Sequence, residues 1–225
     1  MTIFGTLFFS MMMLGLFLGL RKRARLRDIQ AMFRRFNEQD QNREVILSWI
    51  REKDTTGRLL DTLDYLTKIE SEDLAVKVFD AFDPHEFKDR HIRVFACKAY
   101  KKSNKRAEGL AMAQTLVEDY PGDDSVLDIC IATQLHFGAL EEAKKKLLPR
   151  LEVKAKGTTF TRHHAHLIAA EGDPTRAVEI LEKVTAQDYA LYRNTLAPAH
   201  RRLIYEQYTE SQRLLDEIKA QLNLD

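Results

Sequence analysis

The segment HFGALEEAKKKLL, residues 136–148, sets a glycine, Gly138, five positions ahead of a small residue, Ala143, within a run of helix-forming side chains. A glycine there suits the left-handed turn that closes a helix. A small side chain after the turn lets the second helix approach the first closely. The same pairing recurs at a period of 34. Small residues stand at Ala75, Gly109, Ala143 and Ala177, in EDLAVKVF (72–79), RAEGLAMA (106–113), LEEAKKKL (140–147) and PTRAVEIL (174–181). Turn residues stand five positions upstream at Asn104, Gly138 and Gly172; Glu70 occupies that place in the first unit. Twelve positions upstream of the small column come Leu63, Cys97, Ile131 and Ala165, and four downstream come Phe79, Ala113, Leu147 and Leu181. Several columns sharing one period define a repeat.

These columns resemble the tetratricopeptide repeat, a 34-residue helix-turn-helix unit. The resemblance covers residues 56–190, four units. HFGALEEAKKKLL matches the family's G-x-x-E-E-A turn, Tyr100 fills an aromatic position, and Pro121 fills the closing proline. Trp49 lies outside the register, and the other units lack that proline. The expected fold is all-α: an α-solenoid of stacked helical pairs, since one pair cannot bury its apolar face alone. Helical periodicity in LLDTLDYLTKI (59–69) and AVEILEKV (177–184) agrees. Residues 28–55 read as a helical N-cap or degenerate repeat, with helices in RDIQAMFRRF (27–36) and NREVILSWIREK (42–53). Residues 191–225 read as one or two capping helices, interrupted around Pro198.

Ahead of the repeats stands MTIFGTLFFSMMMLGLFLGL, residues 1–20, without one charged side chain. Some 20 helical residues cross a hydrocarbon layer of about 30 Å, so a single transmembrane anchor is expected. A cleaved signal peptide would carry positive charge before the apolar run and a small-residue cleavage site after it. Here the charge follows: Arg21, Lys22, Arg23, Arg25 and Arg27 form a basic collar over residues 21–27. The chain's net charge is +1, so removing these five cations leaves −4 on the remainder. The positive-inside rule places the collar and the repeats in the cytoplasm and the N-terminus across the membrane, as in a bacterial inner membrane. The collar would lie against anionic lipid headgroups. Gly15 and Gly19 form a GxxxG pattern through which two anchors could pack as a homodimer.

No nucleophile motif, phosphate loop, metal-ligand spacing or dinucleotide fingerprint appears, so neither catalysis nor a cofactor is expected. Basic residues are not interleaved with aromatics along a stripe, which argues against nucleic acid. His163, His164 and His166 crowd one helix, but no acid or cysteine completes a known metal spacing; His164 and Ala165 are expected to face the core. Cys97 and Cys130 read as small buried hydrophobes.

The resemblance implies a concave groove, lined by the first helix of each pair, that binds a peptide or partner protein. Position by position, the groove residues are Asp64, then Lys98 and Lys101, then Asp124, Asp128 and His136, then Arg162 and His166. The lysine and asparagine set that chaperone-binding members use is absent. The expected function is therefore a membrane-anchored, non-catalytic adaptor that assembles or regulates a membrane complex. Two alternatives stand beside it. One is a periplasmic chaperone tethered to translocation or cytochrome-maturation machinery, which reverses the topology. The other is an accessory subunit of a large membrane complex, held through its anchor.

Overall fold

The computed structural model describes residues 41–52, 54–69, 72–152 and 158–222, together with residues 24, 27 and 29. Among them are ten α-helices and no strand. The chain divides into two compact units, residues 1–103 and 104–225, at the turn that bears Asn104.

In the first unit, α1 spans Gln41–Glu52, α2 Thr55–Lys68, α3 Glu72–Ala81 and α4 Arg90–Lys102, with a 3-10 turn at Pro84–Glu86. Successive helices pack on one another, and α2 also touches α4. Ile50, Leu59, Leu63, Leu66, Phe79 and Ile92 are buried there. Asp89 starts α4 by accepting hydrogen bonds from the backbone N–H of His91 at 2.8 Å and of Ile92 at 3.3 Å. An aspartate at this place satisfies donors that the first helical turn leaves free.

The second unit holds α5 (Arg106–Asp119), α6 (Asp124–His136), α7 (Leu140–Glu152), α8 (Thr158–Ala170), α9 (Pro174–Asn194) and α10 (Pro198–Gln221). Each helix packs on the next. In addition α6 touches α8, and α8 touches α10. Contact with the neighbour and the next-but-one is the pattern of stacked helical pairs.

The repeat turns take the conformation their residues suggest. Asn104, Gly138 and Gly172 all have positive φ, at 54°, 69° and 100°. At Gly138 the N–H bonds to Leu135 O at 3.1 Å, and the next N–H, of Ala139, to Gln134 O at 2.8 Å. Gly172 and Asp173 repeat this pair with Ala169 O and Ile168 O, both at 3.1 Å. Both are Schellman closures, 34 residues apart. A Cβ at either glycine would meet nothing within 4 Å, so the turn demands glycine for its φ and not for space.

The columns are buried throughout. Ala143, Ala177, Ile131, Ala165, Cys97, Ala113, Leu147 and Leu181 expose no surface at all. One cluster joins Leu127, Ile131, Leu135, Ala143, Leu147 and Leu167 across α6, α7 and α8. A second joins Ala165, Ile168, Ala177, Leu181, Leu214 and Ile218 across α8, α9 and α10.

The last hairpin differs from the sequence expectation. Helix α9 does not end near residue 190; it runs 21 residues to Asn194, and α10 runs 24. No glycine or proline follows Asp173 and Pro174 until Pro198, and the apolar stripe continues through Val184. Nothing stops the helix at repeat length. The break falls at Thr195–Ala197, and Pro198 opens α10 from its first turn, where a proline lacks no needed donor.

Among the described residues no helix is long and apolar enough to cross a membrane. The expected anchor (residues 1–20 with Gly15 and Gly19) and the collar residues Arg21, Lys22, Arg23 and Arg25 lie outside the described residues. Arg27 is helical and exposed.

Candidate functional site

The expected groove residues fall on α2, α4, α6 and α8. In the first unit, Asp64 on α2 and Lys101 on α4 are half-buried, while Lys98 on α4 is exposed. Both lysines follow Cys97 and Tyr100, whose side chains are buried and fix which face of α4 turns outward. Tyr100 packs its ring on Phe79, with centroids 6.0 Å apart.

In the second unit, α6 and α8 lie side by side, and several groove charges are engaged within the protein. Asp124, exposed at the start of α6, pairs with Arg150 of α7 at 3.4 Å. Asp128 sits one turn later, and its Oδ1 lies 2.6 Å from Nε2 of His163 on α8. A carboxylate can only accept, so this imidazole nitrogen carries a hydrogen. The contact ties the two first helices together. His136 ends α6, exposed, edge-on to Phe137 with centroids 4.8 Å apart. His166 on α8 is half-buried.

Arg162 turns inward. It is 7% exposed, and its Nη1 donates to Gln207 O and Ser211 Oγ of α10, each at 3.4 Å. Ser211 in turn donates to Asp188 Oδ2 at 2.8 Å, and Thr158 donates to Asp188 Oδ1. Asp188 on α9 has no exposed surface. A carboxylate removed from water is tolerated when hydrogen bonds replace its hydration. Thr158, Arg162, Asp188 and Ser211 therefore form a buried polar joint between α8, α9 and α10. Sequence reading missed it, though a signal was present. Asp188 follows Leu181 and Val184 on one buried helical stripe, and an acid in an apolar stripe asks for a partner.

The histidine cluster also resolves differently from expectation. His163, not His164, is the buried member. His164 is half-buried. Burial first, and the Arg176 charge second, push its pKa below the ordinary 6.5, against a smaller opposing pull from Glu171. Among the described residues no three His, Cys, Asp or Glu side chains gather where they could hold a metal ion. Neither Cys97 nor Cys130 is in a disulfide, and both are buried. The Cys130 thiol donates to Ala113 O at 3.0 Å, and burial pushes its pKa up to about 12. The thiolate, which is the nucleophile, is thus scarce at neutral pH.

Lys98, Asp124 and His136 are exposed on first helices, while Asp128 and Arg162 hold helices to one another. Comparison with protein-family models, with curated proteins and with solved structures finds no match to this chain.

Proposed function

We propose that this protein is a non-catalytic adaptor, held at a membrane by residues 1–20, whose helical pairs recruit or assemble partner proteins there. The observation that carries the reading is the exact repetition of the Schellman closure at Gly138 and Gly172, 34 residues apart, with buried alanines at the matching positions after each. Stacked pairs of this kind make an extended face suited to a peptide or a partner surface. The apolar segment and the basic collar support attachment to the cytoplasmic side.

The groove residues that remain candidates for contact are Asp64, Lys98 and Lys101 in the first unit and Asp124, His136 and His166 in the second. Arg162 and Asp128 contribute to stacking first. Cross-linking in intact membranes, followed by mass spectrometry, tests this with wild type beside the double reversal Lys98→Glu, Lys101→Glu. Lys98 is exposed and Lys101 half-buried, so the helicity of the variant is measured beside its partners. Cross-linked partners lost from the variant, with its helicity and membrane fraction unchanged, support the groove. Partners captured equally by both proteins would move recognition off α4.

A further inference from the structure

The α9–α10 hairpin ends in a surface that the adaptor reading does not use. Of the eight large hydrophobic side chains exposed among the described residues, five lie between positions 189 and 205: Tyr189, Leu191, Leu196, Leu203 and Tyr205. Leu196, in the connecting loop, is 94% exposed. Its neighbour Thr195 is held at the end of α9, donating both its N–H, at 3.0 Å, and its hydroxyl, at 2.8 Å, to Leu191 O. Tyrosine pairs set the register of the two helices. Tyr189 meets Tyr208 with centroids 5.5 Å apart, and Tyr192 meets Tyr205 at 5.3 Å. Residues 195–202 therefore lie beyond the last tyrosine pair, as the apex.

Charge completes the pattern. Between Asp188 and Glu206 the chain carries Arg193, Arg201 and Arg202 and no acid. Arg201 lies over the Tyr192 ring, 4.7 Å from its centroid, and Arg202 pairs with Glu206 at 3.1 Å while staying 80% exposed. A projecting leucine, a ring of arginines and a belt of tyrosines behind them are the residue types that settle at the boundary between headgroups and acyl chains.

We infer that the apex of the α9–α10 hairpin is a contact for an anionic lipid bilayer, with Leu196 entering the interface and Arg193, Arg201 and Arg202 meeting lipid phosphates. Two points favour a bilayer over a protein partner. A stable protein interface covers about 800 Å² per partner, which a few side chains on one hairpin tip do not supply. A bilayer needs no shape complementarity, only apolar atoms and the right charge. The same chain repeats the composition in residues 1–27, where an apolar run is joined to five cations without an acid. The inference goes beyond the adaptor reading and stands without it.

The test uses the full chain carrying Leu196→Cys, labelled with an environment-sensitive fluorophore. The native thiols Cys97 and Cys130 are buried, so the label goes to position 196. A second protein carries the label at Thr175→Cys, an exposed site at the far end of the hairpin and, at 1.5 Å per residue, about 30 Å away. Each is mixed with phosphatidylcholine vesicles containing or lacking phosphatidylglycerol, and with lipids bearing a quencher on the acyl chain. A blue shift and quenching at position 196, dependent on phosphatidylglycerol and absent at position 175, are expected. Arg201→Glu with Arg202→Glu should lower the quenched fraction at least about tenfold, since each basic residue near such a surface changes partitioning about fivefold. Sedimentation of protein with purely neutral vesicles reports the apolar segment alone, so failure of the anchor and failure of the tip are read separately. Emission at position 196 that is the same in buffer and on anionic vesicles overturns the inference, as does equal quenching at both positions. A shift seen only in native membranes, and never with lipid alone, also overturns it in favour of a protein partner.

Discussion

The helices α6 to α8 and the hairpin α9–α10 belong to one unit but are held together by different means. The first group is organised by repetition. Small residues sit where helices cross, a glycine closes each first helix, and most of the buried side chains are apolar. The hairpin joins onto this stack through its own apolar cluster, but along its length it depends on a buried carboxylate, two hydroxyls and an arginine. Apolar columns tolerate exchange so long as volume is kept; a polar joint tolerates little, because each member left unpaired carries its full desolvation cost. The hairpin should accordingly be the more fragile region to a single well-chosen change.

The largest effect is expected at Asp188. Replacing it with alanine leaves Thr158 and Ser211 without their acceptor, and Arg162 without the acid behind Ser211. A loss of about 3–5 kcal/mol follows from breaking a buried charged network at one member. Asp188→Asn keeps an acceptor and should cost clearly less. Urea unfolding of the two variants measures the difference. Equal and small losses from both would mean that the joint is ornamental and that the apolar cluster alone holds the hairpin.

The matching change in the repeat layer is Ala143→Leu. Ala143 has no exposed surface and sits where α7 crosses α6. Overpacking by a leucine should cost about 1–3 kcal/mol, with α7 displaced rather than the stack abolished. Leucine introduced at the exposed Ala190 of α9 is the control and should lie within about 0.5 kcal/mol of wild type. A loss at Ala143 as large as that at Asp188 would erase the contrast between the two regions.

Smaller still is the effect at the turns. Alanine at Gly138 or Gly172 meets no atom but must adopt a positive φ, which costs about 1 kcal/mol. Alanine at Gly122, also in open space and without a positive φ, should be neutral to within about 0.5 kcal/mol. Thermal unfolding of the three variants separates conformational strain from crowding. A neutral Gly172→Ala would show that the turn relaxes and that the repeat does not depend on it.

Much of this difference was legible in the sequence, and the reason is physical. Periodicity registers whatever is imposed at every repeat, so the turns at Asn104, Gly138 and Gly172 and the columns around Ala143 and Ala177 are visible in the sequence alone. It is blind to features that occur once. The length of α9 depends on the absence of a stop signal, which a repeat template overwrites by imposing its own end. Burial of Arg162 and His163 depends on the partners Ser211 and Asp128, 49 and 35 residues away. Helix-face arithmetic assigned Arg162 to the groove and His164 to the core because it sees one helix at a time. The tyrosine pairs of the hairpin escaped for the same reason. Each ring on its own reads as an ordinary amphipathic residue, and only the antiparallel register brings them together.

The smallest expected effect concerns acid, and it places the two regions on a common scale. His164 lies on α8, between the repeat layer and the hairpin, and its pKa is lowered in the folded protein by burial and by Arg176. The folded state thus resists a proton that the unfolded chain accepts near the ordinary 6.5. Stability from this group is complete above that value and is lost as the pH falls below it. Urea midpoints measured between pH 7.5 and pH 5 should fall for wild type more steeply than for His164→Gln, which cannot titrate. An identical slope in wild type and His164→Gln would assign the acid sensitivity elsewhere in the molecule. A flattened slope would assign that part of the acid sensitivity to His164, whose proton is disfavoured by burial and by Arg176 and favoured by Glu171.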